Sequence, residues 1–270
     1  MVNSIRDNLD IKDTISEIKL LITSKPDIVC VLVEGPIDNR VLRYLLSENV
    51  SIIESFGGKR GIIEILEQHF PNEIRVIGIR DCDYGIRNSR FGCFYYDYSC
   101  LEMMILSIKS CYYRLYSFFF KGDESDADEF LLGCFGYLLI ISIIRQQNEI
   151  NRWKICFKGV NVASVFDENV NSMNENIVKK INSCNPDKQL DSSRMHLVLS
   201  LAQKKYNASD YLNITNGHDF ISLFQRFCKN HSLKEVENSL FCSLGKNEFK
   251  ETSLYRSLIE YQEVNGLKIV

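Results

Sequence analysis

No two of the ten cysteines stand as a C-x-x-C pair, which removes the spacing that zinc ribbons and thioredoxin-type redox sites need. The four histidines include no H-E-x-x-H, so a zincin-type metal site is excluded as well. A basic balance is missing too. Lys and Arg number 32 against 35 Asp and Glu, a net charge of −3, so no global positive field advertises a nucleic-acid binder. A local patch or bound cations can still engage phosphates on an acidic surface. The opening MVNSIRDNLDIKD contains no apolar signal-peptide core, and the expected compartment is therefore a reducing cytoplasm with buried, structural thiols. No apolar run reaches the roughly 20 residues of a spanning helix. The longest, FLLGCFGYLLIISII at 130–144, has fifteen residues between GDESDADE and RQQNE, and a core helix with no membrane contact is expected there. Internal repeats and low-complexity linkers are also absent.

What is present is an ordinary globular composition, 45% hydrophobic and 25% charged, in a chain long enough to bury a real core. Ile11, Ile15, Ile18, Leu21 and Ile22 recur at helical spacing over 10–24, and Lys25-Pro26 ends the pattern. IVCVLVEG (28–35) is a short, continuous apolar run rich in β-branched residues and closed by Gly, the signature of a strand buried on both faces. Pro36 to Glu48 reads as a helix with Pro in its first turn. VSIIESF (50–56) then gives a strand, GGKRG (57–61) a tight turn, IIEILEQHF (62–70) a helix, and IRVIGIRD (74–81) a third strand. Alternation of this kind implies right-handed βαβ crossovers and a parallel sheet. Beyond residue 100 the periodicity is helical, over 100–120, 130–149, 176–184 and two later segments. The expected fold class is α/β, a Rossmannoid parallel sheet flanked by helices over 1–97, with a mostly helical region over 98–270 packed on it.

In a parallel sheet, ligands gather at the carboxyl ends of the strands. Glu34 closes the first strand, and Asp81 and Asp83 close the third. In an extended strand end, Asp81 and Asp83 point to the same side, roughly 6–7 Å apart, with Cys82 facing the other way. If the two strands are neighbours, all three acids converge. Carboxylates within ~4 Å repel by about 1 kcal/mol per pair in water and about 4 kcal/mol at an effective dielectric near 20. Such a gathering calls for positive charge, and a hard divalent cation bound through oxygen supplies it. One or two ions of that kind can stabilise the attacking and leaving oxygens of phosphoryl transfer. Glu34 can equally serve as a general acid or base.

VLVEGPIDNRVL followed by VIGIRDCDYG resembles the TOPRIM domain of topoisomerases, primases and the nucleases of overcoming-lysogenization-defect proteins. That likeness covers 28–97 and implies catalytic and Mg²⁺-binding roles, with Mn²⁺ as a substitute, for Glu34, Asp81 and Asp83. A narrower likeness adds FGGKRG, YDYSCLEMMIL and TNGHDF. These segments resemble stand-alone TOPRIM proteins paired with ABC-type ATPases, the group that contains the toxic effector of the PARIS anti-phage system. It implies a Mg²⁺-dependent endonuclease, toxic to its host in abortive infection, cutting DNA or RNA and controlled by an ABC-type ATPase. A homodimer is compatible with this reading. Pro36 after Glu34-Gly35, and Arg80 before Asp81, depart from the simplest TOPRIM pattern without removing a ligand.

Further candidates each have two readings. Asp38 either joins the metal site or stabilises a helix dipole. Lys59 and Arg60 either hold a phosphate or form a solvated basic turn. Glu102, an acid in an apolar helix start, completes the metal cluster or pairs with an arginine. His218 and Asp219 are either accessory site residues or, for Asp219, a helix cap. The aromatics at 94–98 and 112–120 fit core packing or an interface better than base stacking. Two other functions compete with the nuclease. One is a non-catalytic subunit docked on an ATPase, and the other is a different TOPRIM phosphoryl-transfer enzyme.

Overall fold

The structure is a computed structural model that describes residues 10–84, 90–228 and 230–270. Gly85, which closes the R-D-C-D-Y-G motif, and the amino-terminal residues 1–9 lie outside them. The chain forms two compact units, Met1–Leu101 together with Leu244–Val270, and Glu102–Ser243.

The first unit is built on a parallel four-stranded sheet. Helix α1 (Ile11–Ser24) starts at a capping box in which Asp10 accepts from Lys12 and Asp13, while Asp13 accepts from the Asp10 N–H. Strand β1 (Val29–Val33) is buried along its whole length, as a continuous apolar run in a central parallel strand requires. Helix α2 (Pro36–Leu45), strand β2 (Val50–Glu54), helix α3 (Gly58–Glu64) with a π-helical turn (Ile65–His69), and strand β3 (Val76–Arg80) follow. The glycine turn is shorter than its sequence suggests. Gly57 takes φ 83° and Gly58 already begins α3. A fourth strand, β4 (Cys93–Tyr95), pairs parallel with β3. Its three residues are too few to show a period, and in the sequence they read as part of an aromatic cluster.

Strand order is β2-β1-β3-β4. The chain leaves β1 towards β2 on one side and returns to β3 on the other, so the order reverses between β1 and β3. Open α/β sheets bind ligands outside the carboxyl ends of the strands at such a switch point. Beneath it, Ile15 and Ile18 of α1, Leu32, Ile53 and the helical Ile62 and Leu66 form one buried cluster.

Residues 244–270, grouped with the helical region by their periodicity, pack in this first unit. Helix α12 (Lys246–Phe249) precedes α13 (Ser253–Asn265), whose first N–H groups, from Ser253 and Leu254, donate to Asp97 at 2.7 and 3.0 Å. Tyr261 adds an edge-on contact with Phe94 and a hydrogen bond to the Ile74 carbonyl.

The second unit is helical. The expected helix over 100–120 is two, α4 (Leu101–Ser107) and α5 (Lys109–Phe119), because Ile108 adopts φ −87°, ψ 106° between them. Helix α6 (Glu124–Ile150) has 27 residues, longer at both ends than its apolar run, since Asp123 and Asp126 in the polar flank make a capping box. By length and composition alone it could cross a membrane. Phe135, Leu138, Ile141 and Ile144 are nevertheless fully buried, and α6 packs against α7 (Val170–Cys184), α8 (Ser192–Ala202), α9 (Ala208–Ile214) and α10 (Gly217–Phe227). Helix α11 (Leu233–Ser243) closes the unit. Tyr112 and Tyr116 are buried, whereas Phe118 is exposed.

Gly61 lies where α3 turns back on its own entry. A Cβ there would overlap the Phe56 carbonyl oxygen and crowd the Ser55 hydroxyl at 2.7 Å. Gly61→Ala is expected to cost about 1–3 kcal/mol through overpacking, read as a lower urea midpoint. An unchanged midpoint would contradict this geometry.

Candidate active site

Glu34 follows β1 and Asp81 follows β3, and these strands are neighbours. Leu32 is level with Gly78, so Glu34 falls level with Arg80, one residue before Asp81. The Glu34 carboxylate accepts from the Asp81 N–H at 3.1 Å, and the Arg80 guanidinium lies 4.0 Å from the same oxygen. Arg80 is held by the Asp81 carbonyl at 3.2 Å and by the face of the Tyr95 ring. Asp81 in turn accepts from the Leu101 N–H at 3.3 Å, which ties the switch point to the residue opening α4.

Asp83 departs from the expected geometry. β3 ends at Arg80, and Asp83 sits in a turn with φ 48°, a left-handed conformation that Asp tolerates better than most residues. Its N–H donates to the Ser99 carbonyl at 2.8 Å. The extended posture that would aim Asp81 and Asp83 to one side is therefore absent, because the chain turns immediately after the strand. Asp83 instead receives the Lys59 ammonium at 2.6 Å. Lys59 thus pairs with an acid of the cluster, while Arg60 is exposed.

Asp38 sits in the first turn of α2, where one oxygen accepts from the Gly35 N–H at 3.1 Å and the other from the Tyr96 hydroxyl at 2.8 Å. Tyr96 is completely buried. Burial pushes its phenol well above the ordinary range, with the Asp38 charge adding to it, so the hydroxyl remains a donor. In the sequence Tyr96 belongs to the aromatic group at 94–98, which reads as core packing or an interface; nothing in that run marks its hydroxyl as a partner of Asp38. Asn39 donates to Glu54 at the end of β2, another polar contact at this edge.

The remaining candidates lie in the second unit. Glu102 is buried, and Gly217 at the start of α10 packs directly against its carboxylate, leaving no space for a Cβ. Asp219 makes a bidentate pair with Arg145 of α6 at 2.6 and 2.9 Å, and Arg145 also lies 4.2 Å from the centre of the Phe157 ring. The cap of α10 is Asn216, which accepts from the Asp219 N–H. His218 is exposed.

The donors at the sheet edge are carboxylate oxygens, the chemistry of a hard divalent ion, and a cation, the Lys59 ammonium, already stands on one of them. As the side chains are arranged, no group of three His, Cys, Asp or Glu among the described residues converges to ligate one ion. Ligation by Glu34, Asp81 and Asp83 together requires Asp83 to exchange Lys59 for the metal. Burial pushes the Cys30 thiol up to about 11, consistent with a packing role.

No family model, no curated protein and no solved structure matches this chain.

Burial raises the pKa of Glu34 above the ordinary carboxylate value. The Asp81 N–H and Arg80 oppose this, while Asp83 and Asp38 reinforce it. Between its unfolded and folded pKa values the folded protein therefore retains a proton that the unfolded chain has released, and Glu34 subtracts stability as pH rises across that window. In EDTA, Glu34→Gln is expected to raise the urea midpoint at neutral pH, with the gain vanishing below about pH 4. A variant less stable than the parent at pH 7 would contradict that sign.

Proposed function

We propose that this chain is a divalent-cation-dependent TOPRIM-type nuclease that cleaves phosphodiester bonds in DNA or RNA. In this reading it is the toxic effector of a cytoplasmic anti-phage system, held by an ABC-type ATPase partner. The observation carrying the chemistry is the meeting of Glu34 and Asp81 from adjacent strands at the switch point, 3.1 Å from carboxylate oxygen to amide nitrogen. The order and spacing of V-E-G and R-D-C-D-Y-G support the TOPRIM assignment. The ATPase partner rests on the wider motif likeness alone.

Glu34, Asp81 and Asp83 would hold Mg²⁺ or Mn²⁺. When bound, such an ion lowers the pKa of water and offsets charge on phosphate oxygens. The chain's own groups do the remaining work. Glu34, whose pKa burial raises, is placed to hold or accept a proton at the reacting oxygens. Asp38, fixed by Tyr96 and the Gly35 N–H, orients the turn that carries Glu34, as supporting hydrogen bonds do around functional carboxylates. Lys59, once released from Asp83, supplies a flexible positive charge for a phosphate oxygen.

A non-catalytic subunit is the second reading. It is favoured by the absence of a ready-made three-acid ligand set among the described residues. There the Lys59–Asp83 pair would be structural and the acids would never bind metal.

Purified protein incubated with Mg²⁺ and separate pools of plasmid, single-stranded DNA and total RNA distinguishes the two. Cleavage of at least one pool is expected, abolished by EDTA and lowered by about a hundredfold or more in Glu34→Ala, the scale of losing a general acid or base. Expression of the parent is expected to be toxic, and Glu34→Ala to relieve it. Intact pools, with toxicity unchanged in the variant, would overturn the nuclease assignment.

A further inference from the structure

The opposite end of the same sheet carries a second feature that the proposed chemistry does not use. Among the described residues strand β2 is an edge strand, paired only with β1. Asn49 and Ser55 direct their main-chain groups to β1, through the Val29 N–H and the Val33 carbonyl respectively. Main-chain groups alternate sides along a strand, so Ser51 and Ile53 also face β1, and Val50 and Ile52 face outward. The Val50 N–H is used locally, donating to the Ser47 carbonyl. Among the described residues no hydrogen bond reaches the Val50 carbonyl or the Ile52 N–H and carbonyl from outside the sheet.

An open groove of about 590 Å³ runs beside this edge, lined by Arg43, Tyr44, Val50, Ile52 and Lys246 among others. Its flanks are positive, although the chain as a whole is negative. Arg43 and Lys246 are exposed, and Glu48 is the acid of the lining. Tyr44 is 63% exposed and lies under the Lys246 ammonium at 5.9 Å. The groove borders the amino-terminal half of β2, whereas the acids lie at the carboxyl ends of β1 and β3. It is therefore separate from the position where a parallel sheet takes its substrate.

Exposed edges are commonly blunted by charge, proline or a covering element, because free main-chain groups recruit another strand. Here the edge is left with a trough of suitable size and a basic rim. We propose that β2 is a docking edge for an extended, acidic peptide segment of a partner protein, added as a fifth strand. Its main chain pairs with Val50 and Ile52, and its acidic side chains meet Arg43 and Lys246. Main-chain bonds then give affinity and the basic rim gives selectivity, the division of labour seen in strand addition.

The test uses the full chain and a fluorescent synthetic peptide of alternating valine and glutamate, seven residues long, followed by anisotropy. Three comparisons accompany it: the lysine counterpart, a copy N-methylated at alternate amides, and the protein variant R43E/K246E, altered only at exposed positions. Saturable binding of the glutamate peptide is expected, weakened at least tenfold in each comparison. Ile52→Pro, which removes one outward N–H from an edge strand that tolerates proline, is expected to weaken it similarly. No binding, or equal binding of the lysine or N-methylated peptide, would overturn the proposal. Concentration-dependent dimerisation in sedimentation, lost in Ile52→Pro, would also overturn it by assigning the edge to a second copy of the chain.

Discussion

The parallel pairing of β1 with β3 is the constraint on which the candidate site depends. Cys30 faces Val76, Val31 faces Ile77 and Leu32 faces Gly78, and this register sets Glu34 beside the Asp81 peptide although 47 residues separate them. A slip of one residue would turn every side chain of β1 to the other face and carry Glu34 away. The register is held by burial on both faces. Every residue of β1 is buried, and Gly78 fits because a Cβ there would stand 2.5 Å from Ile62. Packing of α3 on the sheet and placement of the acids are thus one problem with one solution.

Electrostatics explains the detailed shape of the edge. Each acid that the sheet edge gathers has a particular counterweight: Arg80 and an N–H for Glu34, the Leu101 N–H for Asp81, Lys59 for Asp83, and Tyr96 with an N–H for Asp38. For Glu34, burial outweighs its partners. A group kept at such cost is a reason to look for function at that point. Lys59 is the flexible member of the set, a single charge on a long stem, and its contact with Asp83 is partly exposed, where such pairs contribute little to stability.

Much of the fold was legible because its signals were local and strong. The β-branched run of β1, Pro36 at the start of α2 and the acid-terminated β3 each mark an element by themselves. β4 was not legible because three residues carry no period. The break at Ile108 was equally hidden, since an apolar residue of that type fits helix interior or junction alike. The length of α6 was underread because GDESDADE looks like a polar break and is in fact a capping box. At the site, the meeting of Glu34 with Asp81 follows from the strand order β2-β1-β3-β4; the alternation of elements implied a parallel sheet but left that order open. The turn at Asp83, the Lys59 pair and the Tyr96 hydroxyl depend on side-chain placement across 24 and 58 residues of sequence, and no window of sequence contains them.

Whether the acids at this edge bind a divalent cation can be measured without assuming a substrate. Titration of the metal-stripped full chain with Mn²⁺, followed by electron paramagnetic resonance, counts bound ions directly. Saturable Mn²⁺ binding is expected, competed by Mg²⁺ and lost in Asp81→Asn and Asp83→Asn proteins that keep their parent circular dichroism. Binding that persists unchanged in both variants, or none in the parent chain, would contradict it.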